Sequence, residues 1–459
     1  MPYQGRQPGV GVRNRFIFIA TSGQTSFSGA DSNGLTLKYP DATYTDVFLN
    51  GALLIPVTDY AATNNTSVVL SSGAVTSDVV EIVAYDISSI ANTVPVSGGT
   101  FSGPVTVDGK FVVNGNNYPS AGALSNRNLI INGAVTVAQR GTSATGVTGS
   151  GYYTCDRFSV LLDSLGAYTL TQAADGPVGF ASSLKMETTT ADASPANADA
   201  ALLQYTFEGQ NLQLLGKGTA DANPMTLSFW VKSNVTGTYT ISVRDRNNSR
   251  DVGANYVVSV SGTWEYVTVT FPADTTGPFN NSNTASMEIE WWLGSGTNYT
   301  SGTVPTAWEP SVSADRNAGS NVNLAATIGN YFQITGVQLE VGDTATPFEH
   351  RSYGQELTLC QRYYEQSNPT LSGSDGKPTF VASTGSNFLQ GPTFKVPKRA
   401  VPSMVGYDSI SEMDGTSTAL TIGSFQHIGV NGALRLSLGG TGRIDGQVYR
   451  YHWTADAEL

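Results

Sequence analysis

Short stretches in which hydrophobic and polar residues alternate occur along most of the chain. Three of the clearest are residues 226–232, 238–244 and 286–293. In the first of these, Leu227 and Phe229 share one face. Alternation with a period of two is typical of β-strands that bury one face. The pattern predicts sheets in which one side packs on a core.

Turn-forming pairs separate these stretches. Ten Asn-Gly or Asp-Gly pairs are scattered through the sequence, among them Asn50-Gly51 and Asp445-Gly446. Asn, Asp and Gly tolerate the positive φ values that tight hairpin turns require. Short turns between strands indicate antiparallel pairing, so we predict an all-β, multi-domain fold with one short helix. The stretch 126–350 has the size of a β-sandwich of the jelly-roll type with long loops.

Composition supports this fold class and excludes some functions. A chain of 459 residues is expected to hold about three domains. Charged residues make up 13% and hydrophobic residues 40%, a balance that disfavours both long surface helices and disorder. With a net charge of −12, the protein lacks the basic surface that is typical of nucleic-acid-binding proteins, so no nucleic-acid partner is expected.

Composition and turn spacing divide the chain into six segments. Residues 89–125 are rich in Gly, Ser, Pro and Asn and are too short to bury a core alone. Within them, residues 98–109 place apolar residues at alternate positions between glycines, which suits a strand that pairs with partner chains. The six segments are a peptide at 1–15, a small β domain at 16–88, a linker or shaft at 89–125, a large β domain at 126–350, a helix at 351–366 and a compact β tip at 367–459.

The predicted helix carries a narrow apolar stripe. Leu357, Cys360 and Tyr364 fall at positions i, i+3 and i+7, as in a seam between parallel helices. Packing against strands of its own domain is the alternative interpretation. In the seam, Cys360 would be a small core residue rather than a nucleophile. The two cysteines, Cys155 and Cys360, form neither a disulfide framework nor a zinc-binding spacing.

The first fifteen residues are basic, because they contain Arg6, Arg13 and Arg15 and no acidic residue. They suit a peptide that docks on an acidic surface, and a solvated tail is the alternative. They lack the apolar core of a signal peptide. No stretch of the sequence is long and apolar enough to span a bilayer. We therefore expect a protein that is made in a cytoplasm and does not insert into membranes.

Seven short motifs lie between residues 128 and 364. They are Asn-Leu-Ile-Ile-Asn-Gly at 128–133, Val-Ala-Gln-Arg-Gly at 137–141, Asp-Arg-Phe at 156–158, Phe-Trp-Val-Lys-Ser at 229–233, Ile-Thr-Gly-Val-Gln-Leu-Glu-Val-Gly at 334–342, Ala-Thr-Pro-Phe-Glu at 345–349 and, just after the large domain, Leu-Cys-Gln-Arg-Tyr-Tyr at 359–364. This series resembles the carbohydrate-binding-module-like jelly roll of phage tail-fibre and receptor-binding proteins. The Gly-Gly-Thr-Phe-Ser-Gly-Pro-Val-Thr stretch at 98–106 resembles the short β repeats of fibre shafts, and residues 451–459 resemble the ends of fibre tips.

This resemblance implies an elongated homotrimeric fibre in the virion tail, assembled in the host cytoplasm. The N-terminus would dock on phage tail proteins, which places the β domain at 16–88 close to the virion. The helix at 351–366 would trimerise, and the C-terminal tip at 367–459 would point outward and bind the receptor. The implied function is attachment to the host cell by binding a surface polysaccharide or lipopolysaccharide. No cofactor is implied. A structural connector of the tail that carries another protein at its tip is one alternative.

Saccharide sites combine an aromatic plane with amides and carboxylates that bond hydroxyl groups. Alternation places Trp292 outward with Glu288 and Glu290, and the next loop contains Asn298 and Tyr299. We predict that these five residues bind a saccharide. Burial of Trp292 in a trimer interface is the alternative.

A second candidate site lies in the tip. Tyr449, Tyr451 and Trp453 fall on one face of a strand, and a basic cluster at 395–399 lies earlier in the same segment. Aromatic rings beside cations suit an anionic polysaccharide. The alternative is that these rings form the core of the tip.

A glycan-cleaving tail spike is the enzymatic alternative. Such enzymes need two carboxylates that flank the scissile bond. Glu288 and Glu290 are two positions apart on one strand face, a separation of about 7 Å. An ordinary strand face explains them as well, and the sequence has no hydrolase, zincin or phosphate-loop motif. We therefore predict a non-enzymatic protein without catalytic or metal-binding residues, while a calcium ion held by backbone carbonyls and one or two Asp side chains stays open.

Overall fold

The chain divides into two units, Met1–Thr106 and Val107–Leu459, each with a hydrophobic core of its own. Within the described ranges, no helix is long and apolar enough to cross a membrane. The computed structural model describes residues 12–86, 112–113, 116–119, 124–367, 379–381, 388–412, 421–439 and 448–459.

Two antiparallel sheets form the smaller unit. Its strands are β1 (Val12–Ile19), β2 (Gln24–Ser28), β3 (Thr45–Leu49), β4 (Ala52–Leu53), β5 (Tyr60–Ala61), β6 (Ser67–Ala74) and β7 (Val79–Asp86), with a 3-10 turn at Ala42–Tyr44. One sheet has the strand order β1-β7-β3-β4 and the other β2-β6-β5. Phe16, Phe18 and Phe27 contribute to the buried core. β1 and β4 are the edges of the larger sheet, so each has one side without a neighbouring strand in the part of the chain that the structure describes.

The larger unit begins with a pair of antiparallel strands of two residues each, and a β-sandwich follows. The strands are β8 (Val112–Val113), β9 (Asn116–Asn117), β10 (Ser143–Val147), β11 (Phe158–Asp163), β12 (Ala167–Ala173), β13 (Ser183–Thr190), β14 (Ala200–Glu208), β15 (Met225–Ser233), β16 (Gly237–Asp245), β17 (Arg250–Val258), β18 (Glu265–Phe271), β19 (Ala285–Ser295), β20 (Glu309–Pro310) and β21 (Tyr331–Val341). A short helix, α1, spans Thr297–Thr300. Short 3-10 helices lie at Gly209–Leu215, Ser313–Asp315 and Leu324–Ala326.

Two six-stranded antiparallel sheets pack face to face in this sandwich. Sheet A has the order β10-β12-β13-β21-β15-β18, and sheet B has the order β11-β14-β19-β16-β17-β20. The predicted alternation is confirmed here, because Leu227, Phe229 and Val231 of β15 are fully buried. On β19, Ile289 and Trp291 are buried in the same core. Each large apolar side chain removed from water in this way contributes about 1.5–3 kcal/mol, so alternation sets which face of each strand points inward.

A helix follows the sandwich, but it is shorter than predicted. α2 spans Tyr353–Gln361, and the Ser352 side chain caps its first turn in a capping box with Gln355. Tyr364, placed on the predicted seam, belongs to the next strand instead. Cys360 is completely buried within its own chain. The seam at Cys360 was therefore wrong, since neighbouring elements of the same chain already cover this side chain.

The C-terminal segment forms two small sheets. Its strands are β22 (Tyr364–Gln366), β23 (Thr379–Val381), β24 (Phe388–Gln390), β25 (Ser403–Glu412), β26 (Thr421–Gly429), β27 (Gly432–Gly439) and β28 (Val448–Asp456). One sheet has the order β22-β28-β23, with β25 also paired to β28, and the other has the order β24-β27-β26. The alternating pattern at residues 98–109, assigned to a shaft, lies outside the described residues.

The end of the chain is bonded to the sandwich. The Glu458 carboxylate pairs with Arg157 and lies 3.4 Å from Arg140. Arg399 donates to the carbonyl oxygens of Glu458 and of Asn283 in the sandwich at 2.7 and 2.8 Å. The side chains of Arg157 and Glu458 are only 1% and 4% exposed. The C-terminal segment is thus held against the sandwich by buried charged contacts.

Candidate functional site

The outer face of sheet B is polar. On β19, Ile289 and Trp291 point to the core, so Glu288, Glu290 and Trp292 point to the opposite side. The strand register then aligns polar residues of neighbouring strands into rows across this face. One row consists of Thr206, Glu288, Arg244 and Asp251.

Trp292 lies on the predicted face, but it is completely buried. Its indole Nε1 donates to Ser242 Oγ at 2.7 Å. The ring of Tyr299 packs against it with centroids 5.1 Å apart, and the Arg316 guanidinium lies 5.0 Å from its ring centroid. The expectation of an exposed Trp292 was therefore wrong, because α1 and the loop after it cover the indole. No ring face of Trp292 is free for a sugar.

Glu288 and Glu290 share this face as predicted, but both are buried and bound to arginines. Glu290 accepts hydrogen bonds from Ser242 Oγ at 2.8 Å and from Arg316 Nε at 3.2 Å. Glu288 accepts one from Arg246. Burial, followed by repulsion from Glu290, raises the pKa of Glu288. A buried pair held in this way is poorly placed for the proton transfers and nucleophilic attack of glycoside cleavage.

Arg244 differs from the other arginines of this network. Its nearest carboxylate oxygens belong to Asp251 and Glu288 at 3.6 Å and to Glu290 at 3.7 Å. These distances exceed hydrogen-bonding range. Arg244 Nε, Asp251 Oδ1 and Glu288 Oε2 are buried and have no hydrogen-bond partner among the described residues. The Arg244 side chain is 30% exposed. Its guanidinium is therefore held by charge attraction with Nε buried, while its two Nη groups form no hydrogen bond to the described residues and stay available to a ligand.

Gln204 adds an amide to this face. It is half-buried on β14 and aligned with Glu290, which is in turn aligned with Ser242 on β16. Its carboxamide forms no hydrogen bond to the residues that the structure describes. β14 and β16 are two strand spacings apart, about 10 Å. We call the outer face around Gln204 and Arg244 the polar face; its amide and guanidinium are groups that bond sugar hydroxyls.

Asn298 and Tyr299 line a separate surface groove. This groove has a volume of 530 Å³ and lies between α1 and the 3-10 turn at Ser313–Asp315. Asn298 is exposed and Tyr299 half-buried. The prediction that these two side chains reach a ligand therefore stays open, but Trp292 is buried beneath Tyr299 and does not line the groove with them. The groove is lined by Thr297, Asn298, Tyr299, Ser301, Val312, Ser313 and Ala314.

The aromatic residues predicted for the tip site are core residues. Tyr449, Tyr451 and Trp453 are 0%, 0% and 4% exposed and belong to one hydrophobic cluster. In the nearby basic cluster, Lys398 is buried and pairs with Glu365 at 2.6 Å. The expectation of an accessible aromatic face here was wrong, because the three rings pack with Leu389, Phe394 and Leu436 in the core between the two small sheets.

The basic N-terminal residues are part of a sheet. Val12–Ile19 forms β1, so that Arg13 and Arg15 pair with β7 rather than belonging to a free peptide. Arg15 also forms a two-bond ion pair with Glu81, with distances of 2.6 and 2.7 Å. Both arginines point to the exposed face of the sheet. Arg6 lies outside the described residues.

Within the described ranges, no group of three or more His, Cys, Asp or Glu side chains is placed to hold a metal ion. Burial raises the pKa of the Cys155 thiol to about 12 and that of the Cys360 thiol well above its usual range. Neither cysteine is thus suited to act as a thiolate.

Sequence reasoning missed Arg244, although the sequence contains a signal for it. In residues 238–244 the apolar side chains fall on one face, which leaves Arg244 on the other. Pairing of this strand with β19 brings Arg244 beside Glu288. Arg316 gives no such signal, since it comes from a loop and reaches Glu290 through tertiary contacts.

Comparisons with known proteins find structural similarity at low scores. No protein-family model matches the sequence, and no curated protein matches it. The enzymatically active domain of tailspike protein 4 of bacteriophage CBA120 aligns with 13% identity and a TM-score of 0.25, covering 47% of this chain. The match spans 21% of the tailspike chain.

Carbohydrate-binding modules align over similar stretches. TmCBM61, in complex with β-1,4-galactotriose, aligns with 8% identity and a TM-score of 0.24, covering 47% of this chain and 99% of the module. The family 11 module of Clostridium thermocellum, in complex with a β-1,3-1,4-mixed-linked tetrasaccharide, aligns with 7% identity and a TM-score of 0.23, covering 45% and 98%. The assignment of a β-sandwich rests on the strand order given above.

Proposed function

We propose that this protein is a phage tail fibre that attaches the virion to its host by binding surface saccharides on the polar face. The observation that carries the proposal is that Arg244 is partly exposed and has no carboxylate within hydrogen-bonding distance, whereas Arg246 and Arg316 are hydrogen-bonded to carboxylates. The Nη groups of such an arginine can donate to a ligand without first breaking a hydrogen bond within the protein. The phage assignment is supported by the resemblance of the jelly-roll motifs.

Attachment in this proposal relies on multivalency. A polar sheet face without a free aromatic ring is expected to bind each saccharide weakly. Three copies in a homotrimer, and several fibres in a virion, convert weak binding into avidity without a new contact. The N-terminal unit would face the phage tail. The fibre would bind polysaccharide or lipopolysaccharide without cleaving it, because Glu288 and Glu290 are occupied by arginines.

The test uses the full chain and a panel of bacterial surface polysaccharides and lipopolysaccharides. Binding is measured by glycan array and then by calorimetry for the best ligand. We expect Arg244→Ala to weaken binding at least about tenfold, because a hydrogen bond to a charged group contributes about 1.5–3 kcal/mol. Arg244→Lys, which keeps the charge near Asp251 and Glu288, is expected to lose much of the affinity because it lacks the planar fork.

Lys185→Ala is the matched control. Lys185 is a partly exposed cation on sheet A that pairs with Glu187, so its removal is expected to leave binding unchanged. If both Arg244 variants kept the affinity for the saccharide and unfolded at the same temperature as the wild type, the polar face would be excluded as the binding site. Release of reducing sugar by the wild type, lost in Glu288→Gln, would instead support a hydrolase.

A further inference from the structure

One edge of the smaller unit has backbone groups to which no described residue is hydrogen-bonded. β1 is an edge strand, and among the strands that the structure describes β7 is its one neighbour. At Ile17 the outer edge is closed, because the Ile17 N–H donates to the Asp31 carboxylate at 2.9 Å and its carbonyl accepts from Ser32 N–H at 2.8 Å. Alternate residues of a strand direct their N–H and C=O to the same edge. The backbone groups of Arg13 and Arg15 therefore also point outward, and no described segment bonds them.

A slot lies against this open stretch. The slot is a cavity of 580 Å³ lined by Asn14, Arg15 and Phe16 on one side. Residues of the segment 35–40, including Lys38 and Tyr39, line the other side. The slot is thus a concave surface bounded by an unpaired strand edge, which is the geometry into which an additional strand can pair.

The charge around the slot is unlike that of the rest of the unit. Residues 12–86 contain three basic side chains, Arg13, Arg15 and Lys38, against seven acidic ones. All three basic side chains lie on β1 or on the facing wall of the slot. Arg15 is paired with Glu81, while Arg13 and Lys38 are exposed and form no ion pair with the residues that the structure describes. The slot therefore favours an acidic occupant.

The two faces of β1 further specify the occupant. Arg13 and Arg15 point to the exposed face of the sheet, whereas Phe16 points to the core. A strand added beside β1 would continue both faces, because side chains alternate with the same period in neighbouring strands. Acidic residues at every second position would meet the arginines, and apolar residues at the others would extend the core near Phe16 and Tyr39.

We propose that the slot is a docking site for an extended segment of another protein in which acidic and apolar residues alternate, and that this segment pairs with β1 as an added strand. The identification of that protein as a component of the phage tail rests on the proposed function. The docking mode itself rests on the open edge, the slot and the charge distribution.

The probe is a fluorescein-labelled peptide with the sequence Glu-Val-Glu-Val-Glu-Val, titrated with the full chain at low salt and followed by fluorescence anisotropy. A Lys-Val-Lys-Val-Lys-Val peptide is the charge-reversed counterpart. We expect the Glu-Val peptide to bind and the Lys-Val peptide not to bind.

Lys38→Gln is expected to weaken binding of the Glu-Val peptide about threefold, the size of one exposed charge interaction. Val75→Glu is the matched control, because it changes the net charge equally at an exposed residue that does not line the slot.

Hydrogen exchange tests whether the backbone of β1 takes part. On peptide binding we expect added protection in fragments that cover residues 12–19, because the amides of Arg13 and Arg15 gain acceptors. Failure of the Glu peptide to bind, binding without this protection, or equal weakening by Lys38→Gln and Val75→Glu would overturn the proposal. Saccharide binding is measured separately in the other unit. If the peptide bound but no saccharide did, the proposed function would be overturned, whereas the proposal of a docking site in the slot would still hold.

Discussion

Lys217 carries a buried ammonium group enclosed by four oxygen atoms. They are Asp245 Oδ2 at 2.6 Å, the carbonyls of Thr276 and Gly277 at 2.8 Å each, and Asp274 Oδ2 at 3.0 Å. Carboxylate and carbonyl oxygens are also the ligands that calcium takes. The sandwich thus contains a group of oxygen atoms of the type that binds calcium, but the ammonium group of Lys217 lies among them and supplies the positive charge.

We predict that Lys217→Met destabilises the larger unit by about 3–5 kcal/mol, because it leaves buried carboxylates without their cation. The measurement is urea unfolding. Lys232→Met is the matched control, since Lys232 and Asp175 form an ion pair whose side chains are 20% and 41% exposed. It is expected to cost less than about 1 kcal/mol. Similar losses of unfolding free energy in the two variants would show that the buried contacts of Lys217 stabilise the fold no more than a surface ion pair does.

The sequence predicted the direction of individual side chains better than their exposure. Alternation correctly separated Trp291, in the core, from Trp292, on the outer face of the same strand. It could not show that Tyr299 and Arg316 cover Trp292, because these contacts join a strand to a loop through the tertiary fold. The same limit applies to Glu290, whose arginine partner lies 26 positions further along the chain.

At the scale of elements, β28 and the residues that follow it join the small C-terminal sheets to the sandwich. Arg140 contacts the rings of Tyr152 and Tyr364, and Arg157 lies 3.5 Å from the ring centroid of Tyr363. Both arginines interact with Glu458. Stacked and ion-paired guanidinium groups of this kind are specific to arginine. The segment 367–459 therefore shares part of its buried surface with the sandwich.

We predict that Glu458→Gln destabilises the larger unit by about 3–5 kcal/mol, because Arg157 then stays buried without a negative partner. Thermal unfolding followed by tryptophan fluorescence measures this loss. Glu187→Gln is the control, since Glu187 is 38% exposed and pairs with a partly exposed lysine. Its expected cost is below about 1 kcal/mol. If Glu458→Gln unfolded like the wild type, the contacts of the chain end would be peripheral to stability.

At the scale of the whole molecule, the period of two was sufficient to predict antiparallel sheets but not their order. β13 pairs with β21, which begins 141 positions after the end of β13, and β14 pairs with β19. Such pairings depend on which sheets pack together, and local patterns do not contain that information.

The helix prediction failed at its C-terminal end for a related reason. Tyr364 continues an apolar stripe in sequence, but pairing with β28 makes it part of a strand.

The proposed fibre requires three chains. Because Cys360 is covered by its own chain, we place the expected contact between chains in the stretch 98–109, whose alternating sequence suits pairing with partner chains. We predict a native mass of 3 × 48.3 ≈ 145 kDa by light scattering. Val105→Asp places a charge within that stretch and is expected to give a folded 48.3 kDa monomer. Val75→Glu, an exposed position in the smaller unit, is the control and should stay trimeric. A wild-type monomer would contradict the fibre and favour a free-standing saccharide-binding protein.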